Sequence, residues 1–129
     1  MQKSSSVLKQ LTTSSSGTHS YIDDGGEQDV VEITPTTRIK ITGIWLDLSN
    51  MTQNGTVKLY HKIDGTNYRQ LSIYGTEQSY AFTVADTIDG FFIPYNFIVN
   101  SDFKVTYEEG GDEGAARDIV YNVFYDVVE

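Results

Sequence analysis

From Tyr21 onward, apolar residues recur at every second position in short runs, and Gly, Asn or Asp closes each run. Side chains two apart share one face of a strand, so this period predicts half-buried β-strands. No eleven-residue window carries a helical stripe. The runs are "DVVEI" (29 to 33), "RIKITGIWLDL" (38 to 48), "TVKLYHKI" (56 to 63) and "NYRQLSI" (67 to 73). They continue with "SYAFTV" (79 to 84), "GFFIPYNFIV" (90 to 99), "DFKVTYE" (102 to 108) and "RDIVYNVFYDVV" (117 to 128). Tyr, Val, Ile, Thr and Phe, all strand formers, dominate them. The pattern predicts an all-β fold: an antiparallel, jelly-roll-like β-sandwich of about eight short strands.

Three runs carry further grammar. In "RIKITGIWLDL" the apolar positions are Ile39 and Ile41, then Ile44, Leu46 and Leu48. The parity flips at Gly43, which predicts a one-residue bulge. Pro94 has no N–H for a ladder, so the run from 90 to 99 is interrupted there or lies at an edge. The last run is apolar on both faces, so either the sandwich covers both or one face meets another subunit.

The triplet Ile63-Asp64-Gly65 joins two runs, and similar phrases stand at Ile88-Asp89-Gly90 and Ile22-Asp23-Asp24-Gly25. A three-residue hairpin loop with Gly65 in the left-handed region predicts Lys62 opposite Thr66 and Tyr60 opposite Tyr68. Asp64 is expected to accept nearby amides. Val57, Leu59 and Leu71 then share a core face, and Tyr60, Lys62 and Tyr68 an outer one. The intervals between the triplets differ, which excludes a fixed-period repeat.

The first seventeen residues, "MQKSSSVLKQLTTSSSG", are rich in Ser and Thr. They bury little apolar surface of their own, so residues 1–17 read as an extended arm preceding a domain at 18–129. Val7, Leu8 and Leu11 are the apolar ties by which the arm would hold its own domain or a neighbouring subunit. The stretch lacks the hydrophobic run of a secretory signal. At 129 residues the chain is one domain, long enough to bury a core.

Eighteen acids stand against nine bases, for a net charge of −9. That opposes direct nucleic-acid binding, which depends on neutralising phosphates. No apolar run is long enough to span a bilayer as a helix. Cysteine is absent, which removes thiolate chemistry and Cys-based metal sites. The acids in "IDDGGEQD" and "EEGGDEG" meet no calcium-loop spacing and read as solvated turns. His19 and His61 are the two imidazoles, and neither stands in a catalytic motif. The chain is therefore expected to have no enzymatic activity, cofactor or metal.

The stretch "ITGIWLDLSNMTQNGTVKLYHKIDGTNYRQL", followed by "DFKVTYEEGGDEGAARDI", resembles small virion proteins of tailed bacteriophages. That resemblance implies a β-sandwich that decorates or cements a capsid, or builds part of a tail. It implies a homo-oligomer in the virion, partnered with major capsid or tail proteins and carrying no catalytic residues. The candidate partner-binding residues are Val7, Leu8, Leu11, Tyr60, Lys62 and Tyr68. The competing reading is a carbohydrate-binding module that stacks sugars on Trp45 or on the Tyr60 and Tyr68 pair. Against it, Trp45 is expected in the core or half-core of a central strand.

Overall fold

A computed structural model of the chain describes residues 13–22, 26–73, 76–84, 90–94 and 96–128. These form twelve strands: Thr13–Tyr21 (β1), Glu27–Ile33 (β2), Ile39–Asp47 (β3), Gly55–His61 (β4), Arg69–Gln70 (β5) and Ser72–Ile73 (β6), then Thr76–Glu77 (β7), Ser79–Phe82 (β8), Phe91–Ile93 (β9), Phe97–Val99 (β10), Phe103–Glu109 (β11) and Arg117–Val127 (β12). Ten of them build two antiparallel sheets packed face to face. Sheet A has the order β1-β12-β3-β10, with β9 also on β3. Sheet B has the order β2-β11-β4-β5, with β8 also on β4. Strands β6 and β7 make a small ribbon. The long strands alternate between sheets along the chain, which is the strand order of a jelly roll.

The predicted grammar appears in the ladders. The β3–β12 register shifts so that Phe124 faces Gly43 while Tyr125 faces Ile41. Thr42 is the extra residue, and its Oγ1 donates to the Phe124 carbonyl at 3.2 Å. This bulge buries Ile39 and Ile41 before it and Ile44, Leu46 and Leu48 after it. A second shift, between Val105 and Thr106, lets adjacent Val30 and Val31 both turn inward. The run holding Pro94 divides into β9 and β10 on either side of it. Val57 and Leu59 are fully buried and Leu71 packs on the core, as the hairpin faces require.

Two expectations change. The hairpin register is Tyr60 opposite Gln70 and His61 opposite Arg69, so Tyr60 does not face Tyr68. Gly65 has the positive φ expected, 77°, but the loop is longer than three residues. The Asp64 carboxylate accepts the amides of Thr66 (2.9 Å) and Asn67 (2.8 Å) and holds the chain in a turn, so pairing resumes only at Arg69. The slip is two residues, which preserves both faces. The second change concerns the polar start. Residues 13–17 of the stretch read as an arm form the first half of β1, paired with β12 from Thr13–Tyr125 to Tyr21–Arg117. Val7, Leu8 and Leu11 lie outside the described residues, as do Asp23, Asp24, Ile88 and Asp89.

Candidate interaction surfaces

The outer face of sheet B carries Tyr60, Lys62 and Tyr68, and strand pairing joins them to distant charges. Lys104 on β11 stands opposite both Tyr60 on β4 and Glu32 on β2. Its ammonium lies 4.4 Å from the centroid of the Tyr68 ring and 5.3 Å from that of Tyr60, and pairs with Asp29 at 3.0 Å. Tyr68 donates its hydroxyl to Glu32. Tyr60 donates to Glu27 at 2.6 Å, and the buried Thr106 hydroxyl donates to the same carboxylate oxygen. Lys58 lies between Glu27 and Glu108, which face each other across β2 and β11, and offsets their repulsion. Lys62 pairs with Asp102 at 2.9 Å.

The protonation behaviour follows from this pairing. Burial pushes the Glu27 carboxyl up, but the hydroxyls of Thr106 and Tyr60 and the ammoniums of Lys58 and Lys104 outweigh it, and the group is lowered. The hydrogen bond between Lys62 and Asp102 raises the lysine and lowers the aspartate. Burial and the Glu32 carboxylate push the Tyr68 hydroxyl well up. Two amides and the Asn67 side chain hold Asp64 down to about 2.

The outer face of sheet A is built otherwise. One rung runs Ser16, Asn122, Trp45, Phe92 across β1, β12, β3 and β9. Trp45 and Phe92 stack at 4.4 Å with 27° between their planes, and each is 41% exposed. Phe92 also lies over Gly43, where a Cβ would meet its ring at 2.7 Å, so the missing side chain at the bulge seats the ring. Val120 (45% exposed) and Ile98 (55% exposed) extend the apolar area. A cleft of about 220 Å³ opens beside it, lined in part by Ser16, Trp45, Gly90 and Val120. Two buried acceptors on this face, Asn122 Oδ1 and Asp126 Oδ1, have no hydrogen-bond partner among the described residues.

Trp45 thus sits on the outer surface of the central strand with a share of its area exposed. Its neighbours bear on the carbohydrate reading. Phe92 takes one side of the indole, and Gly90 approaches it closely enough that a Cβ would lie 2.9 Å from the ring. Ammonium groups sit over the rings of Tyr60 and Tyr68.

The remaining titratable groups are engaged locally. His61 Nε2 lies 3.2 Å from Ser101 Oγ, but that hydroxyl donates to the Lys62 carbonyl. The imidazole is therefore the donor and does not draw a proton from Ser101; burial lowers its pKa. His19 contacts Gln28 at 3.2 Å. In "EEGGDEG", Glu113 is buried and its carboxylate accepts the Thr52 amide and hydroxyl, both at 2.8 Å, and the Gln53 amide at 3.0 Å. Asp112 caps the Gly114 amide at 2.8 Å, with Gly114 at φ 76°, repeating the logic of Asp64 and Gly65. These acids stitch loops together. Among the described residues no group of three or more His, Asp or Glu side chains is placed to hold a metal ion.

No family model matches the chain, and no curated protein matches it in sequence. Solved structures with a similar course include a protein of Bacillus endospore appendages, which are described as disulfide-linked pili. It is 12% identical over 92% of this chain and 90% of that one, with a TM-score of 0.47. A chain of the T13 IBDV viral particle is 12% identical over 92% of this chain and 35% of its own, with a TM-score of 0.43. A chain of the infectious bursal disease virus Gx strain is 12% identical over 92% of this chain and 38% of its own, at 0.42. This chain spans little more than a third of either viral chain, and likenesses this distant carry neither neighbour's function onto it.

Proposed function

We propose that the protein is a non-enzymatic structural subunit of a virion, which stabilises a capsid as a decoration or cement protein, or builds part of a tail, through protein–protein contacts. The observation that supports this reading best is the aromatic outer face of sheet A: Trp45, Phe92, Val120 and Ile98 side by side, with two buried acceptors lacking donors. Aromatic anchors beside unsatisfied polar groups are what a desolvated interface core requires. The Tyr60, Lys62 and Tyr68 face supplies polar rim contacts in this reading. The partners are further copies of the chain together with major capsid or tail proteins.

Sedimentation velocity over a range of concentrations tests it, alone and with phage heads or tails. Self-association or particle binding is expected, and the Trp45→Ser/Phe92→Ser variant should lose both while keeping a β circular dichroism spectrum. A folded protein that stays monomeric and ignores the particles would overturn the assembly role. Retention on a glycan array, abolished by Trp45→Ser, would establish the carbohydrate-binding alternative instead.

A further inference from the structure

The outer face of sheet A sets chemical requirements on whatever covers it. The occupant must bring apolar side chains to Trp45, Phe92, Val120 and Ile98. It must bring hydrogen-bond donors to Asn122 Oδ1 and Asp126 Oδ1. It must also tolerate a border containing Asp47, Asp118 and Asp126, which favours a cationic segment over an acidic one.

We infer that this face is covered by residues 1–12 of a second copy of the chain. The inference rests on the assembly role proposed above and names the partner at that site. The segment "MQKSSSVLKQLT" meets each requirement. It contains Lys3 and Lys9 and none of the chain's eighteen acids, although the chain as a whole is strongly acidic. In extended conformation Val7, Lys9 and Leu11 share one side, an ammonium between two apolar groups. Gln10 and Ser4 to Ser6 add further donors.

Geometry favours a second copy over the segment's own domain. Thr13 starts β1 opposite Tyr125, and the rung through Asn122, Trp45 and Phe92 lies further along β1, at Ser16. Chain continued backward from Thr13 therefore heads away from that rung. To reach its own Trp45 it would have to reverse and cross both β1 and β12. Twelve extended residues span up to roughly 40 Å, enough to reach a neighbour without reversal.

Trp45 is the chain's single tryptophan, so its fluorescence reports on this face directly. Full-length protein is diluted through its association range while sedimentation and Trp emission are followed. The expected result is a red shift of emission that tracks dissociation. In full-length Val7→Asp/Leu11→Asp the association constant should fall at least about thirtyfold. Emission should then be red-shifted at every concentration, and a synthetic peptide of residues 1–12 should shift it back. If wild-type emission is blue-shifted yet independent of concentration, and the variant shifts it to the red, the segment covers its own domain and the second-copy inference is overturned. If arm variant and peptide leave emission unmoved while Trp45→Ser/Phe92→Ser dissociates the oligomer, the face meets another surface; the inference fails and the assembly role stands. A protein monomeric throughout, with no arm effect and no particle binding, sinks both.

Discussion

The outer faces of the two sheets contrast in how completely their own residues satisfy them. On sheet B every cation has an anion and each key hydroxyl an acceptor: Lys104 with Asp29, Lys62 with Asp102, Lys58 between Glu27 and Glu108, Tyr60 and Thr106 on Glu27, Tyr68 on Glu32. On sheet A, aromatic and aliphatic groups lie in the open and two acceptors lack donors among the described residues. The difference teaches that an outward-facing, chemically rich row is not by itself a docking site. A row whose polar groups are closed by cross-strand pairs has little left to give a partner, because binding would exchange one good contact for another. A row that leaves apolar area and acceptors unmatched gains from being covered.

The sharpest way to break this comparison is to charge each face in turn. Phe92→Lys is expected to weaken self-association at least about thirtyfold. It should cost the monomer about 1 kcal/mol through the lost stack on Trp45. Tyr68→Lys should leave association nearly unchanged. Sedimentation equilibrium on the two variants checks both, and equal losses would erase the distinction between the faces.

Next in size is Glu27→Ala, which strands the hydroxyls of Tyr60 and buried Thr106. A loss of about 2 kcal/mol is expected in urea unfolding, with association unaltered. A neutral result would mean that the network on sheet B contributes little and is free to engage a partner. Smaller again is Asn122→Leu, which removes one unmatched acceptor from sheet A. The monomer should gain about 1 kcal/mol in the same assay, and oligomer contacts through that atom should weaken.

The mildest probe is acid. Glu27, Asp64 and Asp102, all on sheet B or its loops, have folded pKa values below their ordinary 4.5, 3.8 and 3.8. A carboxyl depressed on folding stabilises the protein above its unfolded pKa, and that stabilisation disappears as pH falls through the folded value. Stability should therefore be flat from neutral pH to about 5 and decline between roughly pH 4.5 and 2. The Asp64→Asn variant should shed the part of that decline nearest pH 2. A stability curve rising toward pH 3 would contradict the pairing described for sheet B.

Much of the fold was legible in the chain. The parity flip at Gly43 announced the bulge, Pro94 the division of β9 from β10, and Asp64 with Gly65 a turn with a positive φ. These are local statements, written by neighbouring residues. The hairpin register was misjudged because the amides captured by Asp64 lengthen the loop beyond its tightest form. Strand β1 was invisible because Ser and Thr alternate with nothing apolar; its strand character comes from lying along β12, a partner about a hundred residues away in sequence. The site fared worse. Tyr60, Lys62 and Tyr68 do face outward, but their saturation by Glu27, Glu32, Asp102 and Lys104 depends on strands β2 and β11 converging on β4. Likewise Trp45 and Phe92 lie far apart in sequence, and nothing local says that they stack.

The sequence by itself determined the all-β class, most strand positions, the turns and which side of the hairpin enters the core. Those follow from side-chain period and backbone preference, which act over a few residues. Tertiary structure decided which outer face is closed and which is open. Charge pairs, ring stacks and unmatched acceptors are properties of distant residues brought within a few ångströms, and no short stretch of chain contains both members of such a pair.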